Sequence, residues 1–467
     1  MRAPEHYRPP PGAYDEAFDA DGRVRPHYEE LIAALDDPAA TATAVSERVR
    51  SDGIAFGASG DGWFSLDPVP RLLTNAEWSE IGAGLAQRVR ALDLFAHDVH
   101  CEARIVAAGV VPARAVESSV HFEPAMRDSP VPRGNWVSFA GLDLVRGSDG
   151  RFHVLEDQLR MPSGLAYAVA SRDVLRAELP LPPTGMGEPS EGLEMLRRAL
   201  LGAAPEGVDE PQVVVLSEGR SSAAWWEHAL VGRLMDCPVV TLADLEHRGG
   251  RLHARVDDRL LEVHVVYQRT GEDRFTQENG EPTALGLALL EPCGSGSAAC
   301  VNAPGSGVGD DKLLHAYVEE MVRFYLDEEP LLPSVPTYDL EDEPAREAAL
   351  ERLEELVIKP RSEMGGEGVV IWRDADPQTR ERLEARIRAS PAGLIAQERV
   401  LLSTHPTVCD GRLEPRHIDF RPYVVLSDDE VSIVAGGLSR VALRRGSLIV
   451  NSGQGGGAKD TWVPAWA

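Results

Sequence analysis

Two apolar runs separated by a short glycine-containing turn constrain the fold of this chain most, because their pairing can be counted along the sequence. The runs occupy residues 137–145 and 152–159, and Asp149-Gly150 lies between them. An Asp-Gly pair between apolar runs is typical of a type I′ hairpin turn. Such a turn places Ser148 opposite Arg151, and the remaining pairs of the antiparallel hairpin follow from that register.

The same register places Asp143 directly opposite Glu156, with Gln158 two residues further along. Opposed side chains of an antiparallel pair share a face with Cβ atoms about 5 Å apart, and residues two apart in a strand also share a face. Two carboxylates and a carboxamide suit Mg²⁺, which takes one or two protein carboxylates and leaves its other positions to phosphates and water. Arg160 follows directly and would place a guanidinium beside the metal. The alternative interpretation is a polar sheet edge that faces solvent.

Residues 357–371 contain two apolar runs around a glycine-bearing loop, and the first run ends in Lys359. This pattern predicts a strand, a loop with glycines at 365, 366 and 368, and a second strand. Glycine lets backbone N–H groups approach phosphate oxygens closely, and the lysine adds a point charge. The pattern therefore indicates a nucleotide site, although an ordinary hairpin gives the same signal.

Lysine occurs at only three positions, Lys312, Lys359 and Lys459, and each lies beside glycine-rich or acidic sequence. The alternative is that arginine has replaced lysine generally and that these three remain by chance. Asp310 is predicted as a helix N-cap, which would put Lys312 in the first helical turn. A lysine there opposes the helix dipole unless an anion lies nearby, so the position favours a functional role.

Composition and charge exclude several classes of protein. The 467 residues are 43% hydrophobic and 26% charged, as in soluble globular proteins, and the length predicts two to four domains. A net charge of −28 argues against nucleic acid and anionic membranes as partners. The first residues have no apolar stretch that could serve as a signal peptide, and no run could span a bilayer, so we expect a cytoplasmic protein. Five scattered cysteines without a C-x-x-C pair are interpreted as reduced thiols.

Strands and helices alternate after a proline- and glycine-rich linker near residues 179–187. Apolar runs at 212–216, 239–242 and 263–267 flank a helical stretch at 221–235. This alternation predicts a small open α/β domain with a parallel sheet.

Several long motifs, in this order, closely resemble the circularly permuted ATP-grasp family that is related to glutathionylspermidine synthase. They occupy residues 140–146, 155–164, 302–312, 357–360, 414–422 and 451–462, and the likeness extends over nearly the whole chain. The resemblance implies a mixed α/β chain with a permuted ATP-grasp fold and a small open α/β pre-ATP-grasp domain. We expect an N-terminal helical segment with the metal-binding strands at 1–185, the small α/β domain at 186–305, the small ATP-grasp subdomain with its glycine-rich lid at 306–402, and the large subdomain at 403–467, completed by the N-terminal part.

The resemblance also implies ATP-binding positions, namely two lysines that contact phosphates, a loop that closes over the triphosphate, and the adenine-binding hinge. These positions are Lys312, Lys359, Ser362, Gly365, Gly366, Gly368, Gln397, Glu398 and Val400.

The family's magnesium ligands, an Asp followed by a Glu-x-Asn pair, fall on Asp143, Glu156 and Gln158, where Gln158 replaces the usual Asn. We place three further residues with the catalytic machinery. Arg160 is assigned to acyl-phosphate oxygens and Arg421 to the carboxylate substrate, and Lys459 ends a second glycine-rich segment.

The function expected from these residues is that of a ligase that uses ATP and Mg²⁺. A carboxylate would attack the γ-phosphate to give an acyl phosphate and ADP, and an amine or thiol would then displace phosphate. Two alternatives stay open: an ATP-grasp kinase, and a nucleotide-binding protein without turnover, for which Gln158 is the reason. The expected partners are small-molecule or peptide carboxylates and amines, and neither their identity nor the oligomeric state follows from the sequence.

Overall fold

The computed structural model describes residues 2–57, 62–129, 131, 135–179, 185–271, 274–277, 279–362, 368–427, 430–450 and 455–464. Its α-helices, in chain order, are α1 Glu29–Ala34, α2 Pro38–Ser51, α3 Asn75–His100, α4 Arg104–Ala107, α5 Ala113–Glu117, α6 Leu165–Glu178, α7 Glu191–Gly202, α8 Trp225–Leu234, α9 Ala284–Ser295, α10 Val318–Leu326, α11 Glu343–Glu351 and α12 Pro377–Ala389. Within the described ranges, no helix is both long enough and apolar enough to cross a membrane.

The strands form several small sheets rather than one large one. In chain order they are β1 Arg71–Leu72, β2 Phe139–Gly141, β3 Asp143–Arg146, β4 Phe152–Glu156, β5 Val213–Leu216, β6 Val239–Val240, β7 Leu245–Arg248, β8 Arg251–Val256, β9 Arg259–Glu262, β10 Val265–Gln268, β11 Ala299–Val301, β12 Thr337–Asp339, β13 Leu356–Pro360, β14 Val370–Ile371, β15 Leu394–Glu398, β16 Thr404–Cys409, β17 Arg412–His417, β18 Tyr423–Ser427, β19 Glu430–Ile433, β20 Leu438–Val441 and β21 Gly457–Trp462.

The longest helix, α3, begins at a capping box and supports the hairpin strand β3. Thr74 Oγ1 accepts a hydrogen bond from Glu77 N at 3.3 Å, and Glu77 Oε2 accepts one from Thr74 N at 2.8 Å. This reciprocal pair satisfies two amides at the helix start. Arg146, on β3, donates to Glu77 Oε1 at 2.6 Å, so the cap also fastens the hairpin to the helix.

The hairpin of β3 and β4 has the predicted Asp143–Glu156 pair, but it reaches that pair by a different route. Near the turn the register is shifted by one residue, so that Arg146 pairs with Phe152. Gly150 has φ +77° whereas Asp149 does not have a positive φ, so the predicted type I′ turn, which needs both, is wrong. Instead, Gly150 N donates to Gly147 O at 3.0 Å and Asp149 Oδ1 accepts from Arg151 N at 3.0 Å. A bulge between Asp143 and Leu144 then restores the predicted pairing.

The predicted small parallel sheet is confirmed, with strand order β11-β10-β5-β6 and parallel pairing throughout. A second four-stranded sheet has the order β12-β15-β13-β14 and is antiparallel. That sheet packs on its own apolar core, whose buried members lie between residues 340 and 396. Lys359 lies near the end of β13 in this sheet, where it pairs with Ile395.

Strands from the two ends of the chain pair with each other. β18 pairs with β2, β21 runs parallel to β1, and Leu144 bridges Phe420. The hairpin of β3 and β4 therefore lies against residues that are almost 280 positions further along the sequence.

The helix start predicted at Asp310 is wrong. Residues Ser306–Asp310 form a 3₁₀ turn, a second 3₁₀ turn follows at Leu314–Tyr317, and the α-helix begins only at Val318. Lys312 thus lies in a connection between two 3₁₀ turns, where its side chain does not oppose a helix dipole. The carboxylate of Asp310 is used for a different contact, with Leu159 and Arg160.

Candidate functional site

One cavity of about 460 Å³ brings together the hairpin, the segment around Lys312, the β13 sheet and the C-terminal strands. Most of the predicted site residues line it: Asp143, Glu156, Gln158, Arg160, Lys312, Lys359, Gln397, Glu398, Val400 and Arg421. They come from five separate parts of the sequence.

The two lysines form a compact positive centre on one wall of the cavity. Lys359 is buried, and its Nζ lies 3.4 Å from Glu156 Oε1. Burial lowers the pKa of Lys359, and the charge of Lys312 lowers it further, against the opposing effect of Glu156. Lys312 and Lys359 thus both contribute positive charge to the same cavity, and this charge would attract an anion.

Asp143 is held by two arginines that approach from the C-terminal strands. Arg421 donates to it through Nε at 2.6 Å and Nη2 at 2.8 Å, and Arg440 donates through Nη2 at 2.7 Å. Burial raises the pKa of Asp143, but the two guanidinium groups outweigh it and bring the pKa to about 2. Asp419 accepts a second pair of bonds from Arg440, so the charges form a closed buried network. Asp143 is therefore ionised at neutral pH.

The predicted metal ligands offer a donor set that suits Mg²⁺. Asp143 and Glu156 face each other across the hairpin, and all three residues, including Gln158, line the cavity. Burial raises the pKa of Glu156, but the positive charges of Lys359 and then Lys312 outweigh this effect and lower the pKa overall. This carboxylate is therefore also ionised. Anionic and carboxamide oxygens are the ligands of a hard cation, and the residues fit the ion on these grounds. Asp143 already accepts hydrogen bonds from two arginines, and Glu156 is paired with Lys359 at 3.4 Å.

Arg160 is positioned by an aspartate and a glycine from the segment before Lys312. Asp310 accepts from Arg160 Nε at 2.9 Å and from Leu159 N at 2.5 Å. A Cβ on Gly307 would lie 2.2 Å from Arg160 Cδ, so no larger residue fits there without moving the arginine. The next residue, Asp311, accepts from Arg361 Nε at 2.5 Å and so connects this segment to the end of β13. Gly307, Asp310 and Asp311 therefore orient Arg160 and the segment that carries Lys312.

The predicted hinge lies at the end of β15 and closes the other end of the cavity. Gln397 is buried and donates to Leu155 O at 3.2 Å and to Thr337 Oγ1 at 3.0 Å, which ties the β13 sheet to the hairpin. Apolar side chains surround this end: Val357, Val369, Ile371, Leu402, Leu448, Ile449 and Val450. The wall of the cavity beside the predicted hinge is therefore mainly apolar.

The glycine-bearing loop is only partly described. Gly365 and Gly366 lie outside the described residues. Ser362 is exposed and does not line the cavity. Gly368 has φ +68°, and a Cβ there would lie 2.6 Å from Pro360 Cγ, so this position needs glycine.

Lys459 does not line the cavity, and its assignment to the catalytic residues is corrected by its surroundings. Its side chain is fully buried in β21, where the ammonium pairs with Asp67 and donates to Val69 O at 3.2 Å and Pro406 O at 3.1 Å. These partners use all three N–H donors of the side chain. Lys459 therefore links β21 to the N-terminal part of the chain.

Sequence reasoning missed Arg440 and the anchoring role of Asp310 and Asp311. Arg440 is a single charge on a short strand, and its partner Asp143 lies 297 positions away. The sequence signal for the two aspartates is their place directly before Lys312, within the motif at 302–312. The part of the chain that the structure describes contains no group of three or more His, Cys, Asp or Glu side chains placed to hold a metal; the third predicted ligand is a glutamine.

The chain is similar in sequence to one protein family and to several known proteins. Residues 70–442 match the family model described as circularly permuted ATP-grasp type 2. A protein of Frankia alni with the name "Putative glutamate--cysteine ligase 2-3" is 41% identical over 475 residues, which cover 98% of this chain and 54% of that protein. An uncharacterized protein of Synechocystis sp. is 39% identical over 474 residues. The alignment covers 97% of this chain and 97% of that protein. The chain spans about half the length of the Frankia relatives that it matches.

A solved structure has the same overall fold. It is a glutathione synthetase-like effector from Globodera pallida, in its apo form, with a TM-score of 0.60 at 11% identity. The alignment covers 92% of this chain and 99% of the effector. At that identity the likeness concerns the fold alone.

Proposed function

The chain belongs to the circularly permuted ATP-grasp type 2 family, and on this premise we propose that it is a ligase that joins a carboxylate to an amine or thiol at the expense of ATP. The observation that carries the proposal is the cavity itself. Two lysines, two ionised carboxylates and an apolar hinge end line one space, although they come from distant parts of the chain. The ligase name of the Frankia relatives belongs to the same reaction class.

The proposed reaction has two steps. A carboxylate oxygen of the substrate bonds to the γ-phosphorus of ATP while the bond from that phosphorus to the bridging oxygen breaks, which releases ADP. The nitrogen or sulfur of the second substrate then bonds to the acyl carbon, the bond to the phosphate oxygen breaks, and phosphate leaves with the proton of the nucleophile passing to solvent. Positioning and neutralisation of charge account for most of the catalysis in such transfers.

The chain's own residues have distinct roles in this proposal. Lys312 and Lys359 bind phosphate oxygens, and Arg160, held by Asp310, stabilises the oxygens of the acyl phosphate. Asp143, Glu156 and Gln158 would hold Mg²⁺, which supplies further neutralisation of phosphate charge when bound. Arg421 holds Asp143 in place, which is the role that its two hydrogen bonds support, rather than the predicted anchoring of the substrate carboxylate.

The test is release of ADP by the purified chain with Mg²⁺ and a panel of carboxylate and amine pairs. Lys359→Met should lower ADP release by about 100-fold or more, the usual effect of removing one group that stabilises transition-state charge. Arg388→Met is the matched control, because it removes an exposed positive charge from the same part of the chain, where Arg388 pairs with Glu384. It should leave ADP release unchanged, and equal rates in the two variants would contradict the phosphate role of Lys359.

Product analysis separates ligation from simple phosphotransfer. A ligase needs both substrates and yields ADP and inorganic phosphate in equal amounts. An ATP-grasp kinase would need the carboxylate alone and would leave a stable phosphorylated product. If the protein binds ATP with Mg²⁺ but forms no ADP with any pair, the ligase proposal fails.

A further inference from the structure

One part of the cavity wall, which we call the aromatic lobe, has a different character from the rest. It is lined by the aromatic rings of Phe56, Phe64 and Tyr167, together with Met161 and Leu438. None of the sequence motifs covers these aromatic residues, and the roles described above do not use them. The lobe therefore needs an occupant of its own.

The contacts between the hinge and this lobe run through the charged residues of the hairpin. Gln397, at the hinge, bonds to Leu155, which precedes Glu156 in the hairpin. Glu156 pairs with Asp143, and Asp143 bonds to Arg421. Arg421 Nη1 in turn donates to Ser163 O at 3.4 Å, and Ser163 lies at the start of the segment that leads into Tyr167 on α6. The order is thus hinge, charged centre, aromatic lobe.

This order matters because phosphoryl transfer proceeds in line. The attacking oxygen and the leaving oxygen lie on opposite sides of the transferred phosphorus. With ADP leaving toward the hinge, the attacking carboxylate must approach from the side of the lobe. The body of the carboxylate substrate would then extend into the aromatic lobe.

The polar groups around the lobe already have partners, which limits what it can bind. The amides at the start of α6 donate to Glu227: Gly164 N at 2.7 Å and Ala166 N at 3.2 Å. Arg269 donates to Pro162 O at 2.8 Å and to Glu227 at 3.4 Å. The helix start and Arg269 are therefore engaged by Glu227. Arg160 and Arg421, at the border of the lobe, are paired with Asp310 and Asp143, so a second carboxylate of a substrate would have to compete with these partners.

A cationic group is also disfavoured. The Tyr167 ring stacks against Phe64 with centroids 4.6 Å apart and against Trp226 with centroids 5.0 Å apart, so its π faces are engaged. Its hydroxyl donates to Ala55 O at 2.8 Å. Glu227 and Asp143 already pair with Arg269 and Arg421, so these carboxylates offer no unpaired charge to an ammonium group. The surface that the lobe offers to a ligand therefore consists mainly of apolar carbon atoms.

We infer that the carboxylate substrate carries an apolar aliphatic or aromatic body, which binds in the lobe of Phe56, Phe64, Tyr167, Met161 and Leu438. The inference rests on the proposed ligase function for the direction of approach. It narrows the substrate to monocarboxylates without a charged distal group.

The experiment measures equilibrium binding of straight-chain monocarboxylates, from acetate to octanoate, to the full chain with Mg²⁺ and a non-hydrolysable ATP analogue. Each added methylene should strengthen binding by about fourfold until the lobe is filled, the factor that corresponds to about 0.8 kcal/mol per buried CH₂. Glutarate should bind more weakly than pentanoate, which has the same number of carbon atoms and one carboxylate fewer. A flat dependence on chain length, no binding of any acid, or tighter binding of glutarate would overturn the inference.

A matched pair of phenylalanines locates the effect. Phe56→Ala removes a half-buried ring that packs edge-on against Tyr167 with centroids 5.9 Å apart, and it should weaken octanoate binding by about tenfold. Phe324→Ala removes a half-buried ring that packs edge-on against Tyr325 with centroids 5.0 Å apart, away from the cavity, and it should leave octanoate binding unchanged. Retained binding of the ATP analogue shows that each variant is folded. Equal effects of the two changes on octanoate would contradict the placement.

These results are independent of turnover. Graded binding of monocarboxylates without ADP release from ATP would support the lobe and refute the ligase proposal. ADP release that depends on a charged dicarboxylate would support the ligase proposal and refute the role of the lobe.

Discussion

Asp93 gives a quantitative test of the packing behind the site, because its carboxyl is buried and has a raised pKa. It lies on α3 and accepts a hydrogen bond from Val137 N at 2.8 Å, in the segment that leads into β2 and the hairpin. Burial raises the pKa of Asp93 from 3.8 to about 7, and the hydrogen bonds that it accepts offset only part of that effect. In the folded protein Asp93 is therefore protonated at pH values where the unfolded chain is ionised.

The sign of the effect on stability follows from this difference. Below pH 3.8 both states hold the proton and the contribution of Asp93 is fully present. As the pH rises toward 7, the unfolded state loses its proton first, so the free energy of unfolding falls. A change of pKa from 3.8 to about 7 corresponds to a loss of about 4 kcal/mol across this window.

The perturbation is Asp93→Asn, which keeps an oxygen acceptor for Val137 N and removes the titration. Urea unfolding of the wild-type chain and of the variant is measured from pH 4 to pH 8. The variant minus wild-type difference should rise with pH by several kcal/mol between pH 4 and pH 7, and other titrating groups cancel in that difference. A difference that stays constant, or that falls as the pH rises, would refute the reasoning.

Three further changes test single residues of the site and its frame. Gln158→Asn should retain or raise Mg²⁺-dependent ADP release if residue 158 is a ligand, whereas an unchanged Mg²⁺ titration would argue against it. Gly307→Ala should lower ADP release while leaving the urea midpoint nearly unchanged, because the new Cβ displaces Arg160; equal ADP release would show that Arg160 can move freely. Lys459→Met should lower the free energy of unfolding by about 3 to 5 kcal/mol, since it leaves Asp67 buried without its partner, and a wild-type urea midpoint would contradict the structural role of this pair.

The hairpin of β3 and β4 illustrates both the reach and the limit of sequence reasoning. The Asp143–Glu156 pair was predicted by counting from a two-residue turn, and it is present. The turn itself is different, and a bulge compensates for the shift. The hairpin strands also bond to residues far along the chain, since Leu144 N donates to Phe420 O at 2.7 Å and Val154 N donates to Pro333 O at 2.8 Å. Local patterns cannot contain that information.

The three lysines show the same reach and the same limit of sequence reasoning. Lys312 and Lys359 are rare residues that lie beside glycine-rich or acidic segments, and both line the cavity. Lys459 satisfied the same criteria and lies elsewhere, because burial of its strand on both faces removed it from the surface of the cleft. Rarity and local context identify a residue with a special environment, but they do not distinguish an internal ion pair from a binding site. The burial of the neighbouring strand residues decides between them.

Charge balance connects the cavity to the rest of the molecule. The described residues that line it include six acidic and six basic side chains, whereas the whole chain carries a net charge of −28. At physiological ionic strength, charges more than about 8 Å apart are largely screened, so the local balance outweighs the overall charge once a ligand has entered. A nucleotide with four negative charges nevertheless gains little from such a balance, because most of these basic groups already face carboxylates: Arg160, Lys359, Arg421 and Arg440 do so. Binding of the nucleotide should therefore depend strongly on the divalent cation that accompanies it, and the carboxylates of Asp143 and Glu156 are the groups through which that dependence would be exerted.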